Sequence, residues 1–158
     1  VFKQDTHRFD TKPKVSQAKQ FAQQKKQAQS EFFFSDVYIP DIDTHGTVKY
    51  VKPGQDTFLA KQLRRGDFAP DLTLDLHGLN KELAKDELAG LIHECKKQHY
   101  YCACVVHGIG GGVLKHKVPQ YLVQHPDVIA MHQAPLEYGG RGAVLILINL
   151  PQSDEFRR

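Results

Sequence analysis

Apolar and polar residues alternate over Leu72 to Leu76 (LTLDL), the period of a strand with one buried face. The spacing then becomes helical. Asn80 suits the cap of a helix running to about Gln98, with Leu83, Leu88, Leu91 and Ile92 forming most of its apolar stripe. Tyr101 to Val106 reads as a second strand, and Val113 to about Gln124 as a second helix that restarts at Pro119, since proline suits a first turn. Val128 to His132 and Ala143 to Asn149 read as two more strands, separated by the Gly-rich turn Gly139 to Gly142. Two right-handed helical crossovers make the first three strands parallel, so their carboxyl ends share one edge, the usual place for ligands in α/β folds. The pattern therefore predicts an α/β fold: one compact domain of order βαβαββ with four strands over residues 71–150, followed by a tail at 151–158.

Upstream the pattern is less regular, and residues 1–70 read as an N-terminal extension. Residues 16–29 are rich in helix formers but hold only one large apolar residue, Phe21, so a helix there is marginal unless it binds something. Phe32, Phe33 and Phe34 cannot all hide on one face, so some of them pack on the main domain or on a partner. Thr57 to Arg65 reads as a short helix stopped by Gly66, and residues 67–70 form the join.

Charge changes the picture when it is divided. Residues 1–30 carry seven Lys/Arg against two Asp/Glu, whereas residues 72–158 carry nine of each. A basic arm on a neutral domain suggests attachment to a polyanion such as nucleic acid. No window approaches the roughly 18 apolar residues of a membrane span, so no membrane partner is expected. Three cysteines (Cys95, Cys102, Cys104) form no plausible disulfide framework; they read as buried thiols of a reducing cytoplasm.

The candidate chemistry sits at strand ends. Asp75 and His77 have the spacing that puts two side chains on one strand face, and a carboxylate beside an imidazole suits proton transfer near neutral pH. A plainer reading has His77 capping the next turn and Asp75 pairing with a backbone amide. His107 directly precedes Gly108, Gly110, Gly111 and Gly112, a loop whose amides, with a helix following, favour an anion. Lys115 adds positive charge one turn on, and Arg141, flanked by glycines, suits phosphate through its forked donors. The remaining histidines show no persuasive ligand spacing, so neither a metal nor another cofactor is expected.

The segments LDLHG, HGIGGGVLKHKVPQYL and EYGGRGAVLILI, in this order, resemble the small MutS-related (Smr) domain over about residues 72–150. KQDTH near the start and AKQLRRGDFAP before the domain resemble bacterial stand-alone members of that family. The resemblance implies a two-layer α/β sandwich with a mixed four-stranded sheet, similar to the C-terminal domain of translation initiation factor three. It also implies cleavage tied to Asp75 and His77, with the glycine motif at His107 through Gly112. Family members differ at the position of His107, some having threonine, and some Smr domains nick DNA. The stand-alone members imply a ribosome rescue endonuclease whose partners are mRNA and stalled or collided ribosomes, with the basic extension as a docking arm. The expected chemistry is metal-independent transesterification with His77 moving a proton, Asp75 orienting it and His107 as the complementary acid or base. Gly108, Gly110, Gly111, Gly112, Lys115 and Arg141 would hold the phosphate. Two rivals are a module that grips RNA or the ribosome without cutting, and a metal-dependent DNA nickase.

Overall fold

A computed structural model describes residues 32–38, 40–110 and 112–150. The helix expected at 16–29, the basic arm, Gly111 and the tail at 151–158 lie outside the described residues. In chain order the elements are β1 (Lys49–Val51), α1 (Phe58–Arg64), β2 (Leu72–Asp75), α2 (Lys81–Gln98), β3 (Cys102–Val106), α3 (Val113–Gln124), β4 (Val128–Gln133) and β5 (Ala143–Ile148). Two short 3-10 turns, Leu136–Tyr138 and Gly140–Gly142, link β4 to β5.

The sheet runs β1-β4-β5-β3-β2. β2 and β3 are parallel, and β5 is antiparallel to both β3 and β4. β4 therefore runs in the same direction as β2 and β3, so the carboxyl ends of all three share an edge as expected. β5 lies between β3 and β4, where its six consecutive buried residues fit a strand covered on both faces. The sheet has five strands where the sequence pattern predicts four. The extra strand, β1, is three residues long, too short for its alternation to show, and it forms only because the edge of β4 offers a partner.

Two apolar layers hold the sheet. On one face Leu72, Leu74, Ala103, Val105, Val144 and Ile146 meet Leu88, Leu91 and Ile92 of α2 and Leu114, Val118 and Leu122 of α3. On the other, Cys102, Cys104, Ile129 and Leu145 meet Leu63 of α1, so the short α1 covers part of a face that a two-layer sandwich leaves bare. All three cysteines are buried thiols. Asn80 caps α2 through Oδ1 and the Leu83 N–H at 2.8 Å, but the Leu83 side chain is 49% exposed and leaves the stripe. α3 continues through Pro119 instead of restarting there, which costs the Lys115 carbonyl its helical donor.

The segment before β1 straps the helical layer. Phe34 is buried in the core, Phe32 packs at its edge and Phe33 is exposed, so the aromatic triplet divides between core and solvent. Asp36 accepts from Tyr121 Oη of α3 at 2.5 Å and pairs with Lys85 Nζ of α2 at 2.5 Å. Among the described residues, no helix is long and apolar enough to cross a membrane.

Candidate active site

At the end of β2 the chain is pinned by the Leu76 N–H, which donates to the Val106 carbonyl at 2.7 Å. Leu76 is fully buried, so Asp75 and His77 on either side of it face the other way, as the two-residue spacing implies. Asp75 Oδ1 lies 2.6 Å from His77 Nδ1 and also accepts from the His77 backbone N–H at 3.0 Å. Backbone pairing and imidazole orientation thus occur together rather than as alternatives. A carboxylate only accepts, so Nδ1 carries the proton in this pair and Nε2 is the proton-accepting nitrogen. The side chain of His77 is 71% exposed, within reach of a macromolecular substrate.

The glycine loop is tied to the start of β5. The N–H groups of His107 and Gly108 both donate to the Gly142 carbonyl, at 2.9 and 3.0 Å. Gly108 has φ +83°, and a β-carbon built there would stand 3.2 Å from Cβ of His77. A β-carbon on Gly142 would come within 3.8 Å of the Gly108 backbone. The DxH, HGIGGG and GGRG segments therefore meet at one point.

Beyond the loop, Gly112 (φ +78°) stands at the N-cap of α3 and provides no side-chain cap, leaving first-turn amides and the helix dipole for an anion. Lys115 is half-buried in that turn, and Arg141 is exposed on the 3-10 turn Gly140–Gly142. Ile109 and Val113, both exposed, give the loop an apolar rim.

His107 is placed differently from His77. It is only 5% exposed, and its Nδ1 lies 2.8 Å from the Gly108 carbonyl. Burial pushes its pKa below the ordinary histidine value, against the opposing effect of the Gly108 bond. The ring therefore supports the loop from beneath instead of standing in the open beside His77.

Residues without a signal in the sequence also reach this region. His116 Nδ1 lies 3.0 Å from the buried Thr44 hydroxyl, and the His45 and His116 rings are 4.7 Å apart. His116 also approaches the Gly112 position, at 3.8 Å from a built β-carbon. Thr44 and His116 lie 72 residues apart, so no local spacing announces the contact. Among the described residues, no group of three His, Cys, Asp or Glu side chains is arranged to hold a metal ion.

The Smr domain family model matches residues 74–149. The ribosome rescue factor SmrB of Yersinia enterocolitica is 49% identical over 153 residues, covering 95% of this chain and 86% of that protein. The ribosome rescue factor SmrB of Escherichia coli O157:H7 is 49% identical over 152 residues, covering 95% of this chain and 82% of its own length. In fold the chain is similar to YdaL, a stand-alone small MutS-related protein from Escherichia coli, with a TM-score of 0.65 at 19% identity over 76% of this chain and 96% of that one.

Proposed function

Since this chain belongs to the Smr domain family, we propose that it acts in ribosome rescue as an endoribonuclease that cuts mRNA on stalled or collided ribosomes. The 49% identity to ribosome rescue factors over nearly the whole chain supports the setting. The observation that carries the chemistry is the contact of His77 Nδ1 with Asp75 at 2.6 Å, with Gly108 packed against the same histidine.

In this reading His77 Nε2 accepts the proton of the substrate 2′-hydroxyl. The 2′-oxygen bonds to the adjacent phosphorus, the bond from phosphorus to the 5′-oxygen breaks, and that oxygen takes a proton from solvent, to which His77 returns the one it accepted. The products are a 2′,3′-cyclic phosphate and a 5′-hydroxyl end. Asp75 holds the imidazole in the accepting tautomer and balances its charge once protonated. Charge on the phosphorane meets the amides around Gly110 and Gly112, the N-terminus of α3, Lys115 and Arg141. His107 is a positioning residue here, because its buried ring holds the Gly108 carbonyl rather than facing the substrate. Both N–H groups of His77 that face Asp75 engage its carboxylate, which suits an orienting role better than metal ligation. The basic extension serves as the docking arm for the ribosome, and the cytoplasm follows as the site of action.

The test is end-labelled single-stranded RNA with the full chain and a chelator, beside matched DNA, a His77→Ala variant and stalled polysomes. Cutting of RNA alone, with 5′-hydroxyl ends that disappear in the variant, is the expected result. Retained affinity with no product on either RNA or polysomes identifies a binding module. Chelator-sensitive nicking of DNA identifies the metal-dependent nickase.

A further inference from the structure

The sheet face that carries Asp75 continues, strand by strand, to a second cationic site. In register across the sheet stand Thr73, Cys104, Leu145, His132 and Lys49, each paired with the next. Paired residues share a face, and Asp75 lies two residues beyond Thr73, so it shares that face too. The thiol of Cys104 registers the same proximity: burial, then the Asp75 charge, pushes its pKa up to about 12.

At the far end of this row, β1, β4 and α1 enclose an open cavity of about 840 Å³. Lys49 contributes from β1, Lys61 and Arg64 from the last turn of α1, and His132 from β4, and among the described residues no Asp or Glu lines it. Three exposed cations converging on one cleft, with no carboxylate in its lining among the described residues, make a strong local attraction for anions. His132 is buried with Nδ1 2.9 Å from the Gln133 carbonyl, so its ring forms a fixed wall of the cleft. Net charge along the chain does not account for this local excess, since residues 31–71 carry five Lys/Arg against seven Asp/Glu.

We propose that this cleft binds the phosphodiester backbone of the same RNA strand whose scissile phosphate lies at His77. The proposal rests on the nuclease reading for the choice of strand and on charge for the choice of ligand; Cys104, Leu145 and His132 are buried, so the row sets the spacing between the two sites and is not the path of the RNA. Four strand spacings of about 4.8 Å place Lys49 about 19 Å from the Thr73 position, a span of several nucleotides of extended RNA. Between the two points the strand passes the loop with Arg141 and exposed Leu136. Cations at such a distance grip the backbone without reading bases, so the cleft adds affinity and sets direction but not sequence preference.

The experiment measures binding of a labelled single-stranded RNA of about a dozen nucleotides by fluorescence anisotropy, using the full chain carrying His77→Ala so that nothing is cut. The cleft variant adds Lys49→Ala, Lys61→Ala and Arg64→Ala, and its thermal unfolding is compared with the parent. A charge-keeping variant carries Lys49→Arg, Lys61→Arg and Arg64→Lys. The expected result is an affinity at least roughly tenfold weaker in the alanine variant and restored by the charge-keeping one. The salt dependence should also become shallower by about 0.7 for each phosphate no longer neutralised, about 2 in all for three cations. Unchanged affinity and slope overturn the proposal, as does failure of the parent to bind the oligomer at about 50 mM salt. Loss confined to ribosome co-sedimentation, with the free oligomer bound normally, also overturns it, because the cleft then serves the ribosome and not the substrate strand. Cutting and gripping are read separately: a wild-type chain that cuts nothing while the cleft variant loses RNA defeats only the nuclease reading.

Discussion

Gly108 packs directly on His77, with a built β-carbon only 3.2 Å from the His77 Cβ. Its φ of +83° is a second reason for glycine, since a side chain there costs about 1–2 kcal/mol. Gly108→Ala must therefore push either the loop or the imidazole out of place. Displacements of this kind at a reacting centre cost up to about 100-fold in rate. The expected outcome is a fall of roughly 10- to 100-fold in RNA cleavage with an unchanged circular dichroism spectrum. Wild-type cleavage by this variant would show that the packing is incidental.

Asp75→Asn keeps the size of the side chain but loses the charge that holds Nδ1–H and balances a protonated His77. Cleavage should fall by roughly 100-fold or more, while RNA affinity, measured by anisotropy, stays within about twofold of wild type. A parallel loss of affinity would mean that Asp75 shapes the binding surface instead of serving proton transfer.

His107 has a folded-state pKa below its ordinary value because burial opposes its charge. The unfolded chain then binds the extra proton more readily, so the stability from keeping His107 neutral is present above about pH 6.5 and is lost as pH falls below it. Urea unfolding at about pH 7 and about pH 5 should show a larger loss for wild type than for His107→Gln. Equal losses would remove His107 from the account of acid sensitivity.

Asp36 joins the strap to both helices, and its pKa is lowered from 3.8 to about 2 by hydrogen bonds from Lys85 and then Tyr121. A depressed carboxylate contributes stability above its unfolded pKa and loses it as pH falls towards the folded one. Asp36→Asn should therefore unfold more easily at neutral pH and lose less further stability between about pH 4 and 2. Because Asp36 is partly exposed, the difference should be about 1 kcal/mol. Acid-unfolding curves that run parallel for the two proteins would contradict this.

Removing residues 1–30, which carry a surplus of five positive charges, should weaken ribosome co-sedimentation and leave cutting of naked RNA nearly unchanged. Equal co-sedimentation with and without the arm would defeat its docking role.

The main elements are legible in the sequence because their signals are local. Alternation over β2, the Asn80 cap of α2 and the limits of α3 depend on neighbours a few residues apart, and all three appear where the pattern places them. Leu83 departs from its stripe because an apolar position on a helix is buried only where another surface covers it, and Leu83 stays half-open to solvent. β1 gives no advance sign because three residues carry no readable period. At the site, the two-residue spacing of Asp75 and His77 is enough to place both on one side of Leu76. The depth of His107 is not readable, since its burial follows from how the loop folds back onto Gly142.

From sequence alone come the α/β class, the order of elements from α1 to β5 and the residue types available for proton transfer and anion binding, because these follow from short-range periodicity and composition. Tertiary structure decides which of them meet. The insertion of β5 between β3 and β4, the choice of Phe34 over Phe33 for the core, the approach of Thr44 to His116 and the row from Thr73 to Lys49 all join residues distant in the chain. Such meetings are selected by the burial and pairing of whole surfaces at once, and no local stretch of sequence carries that information.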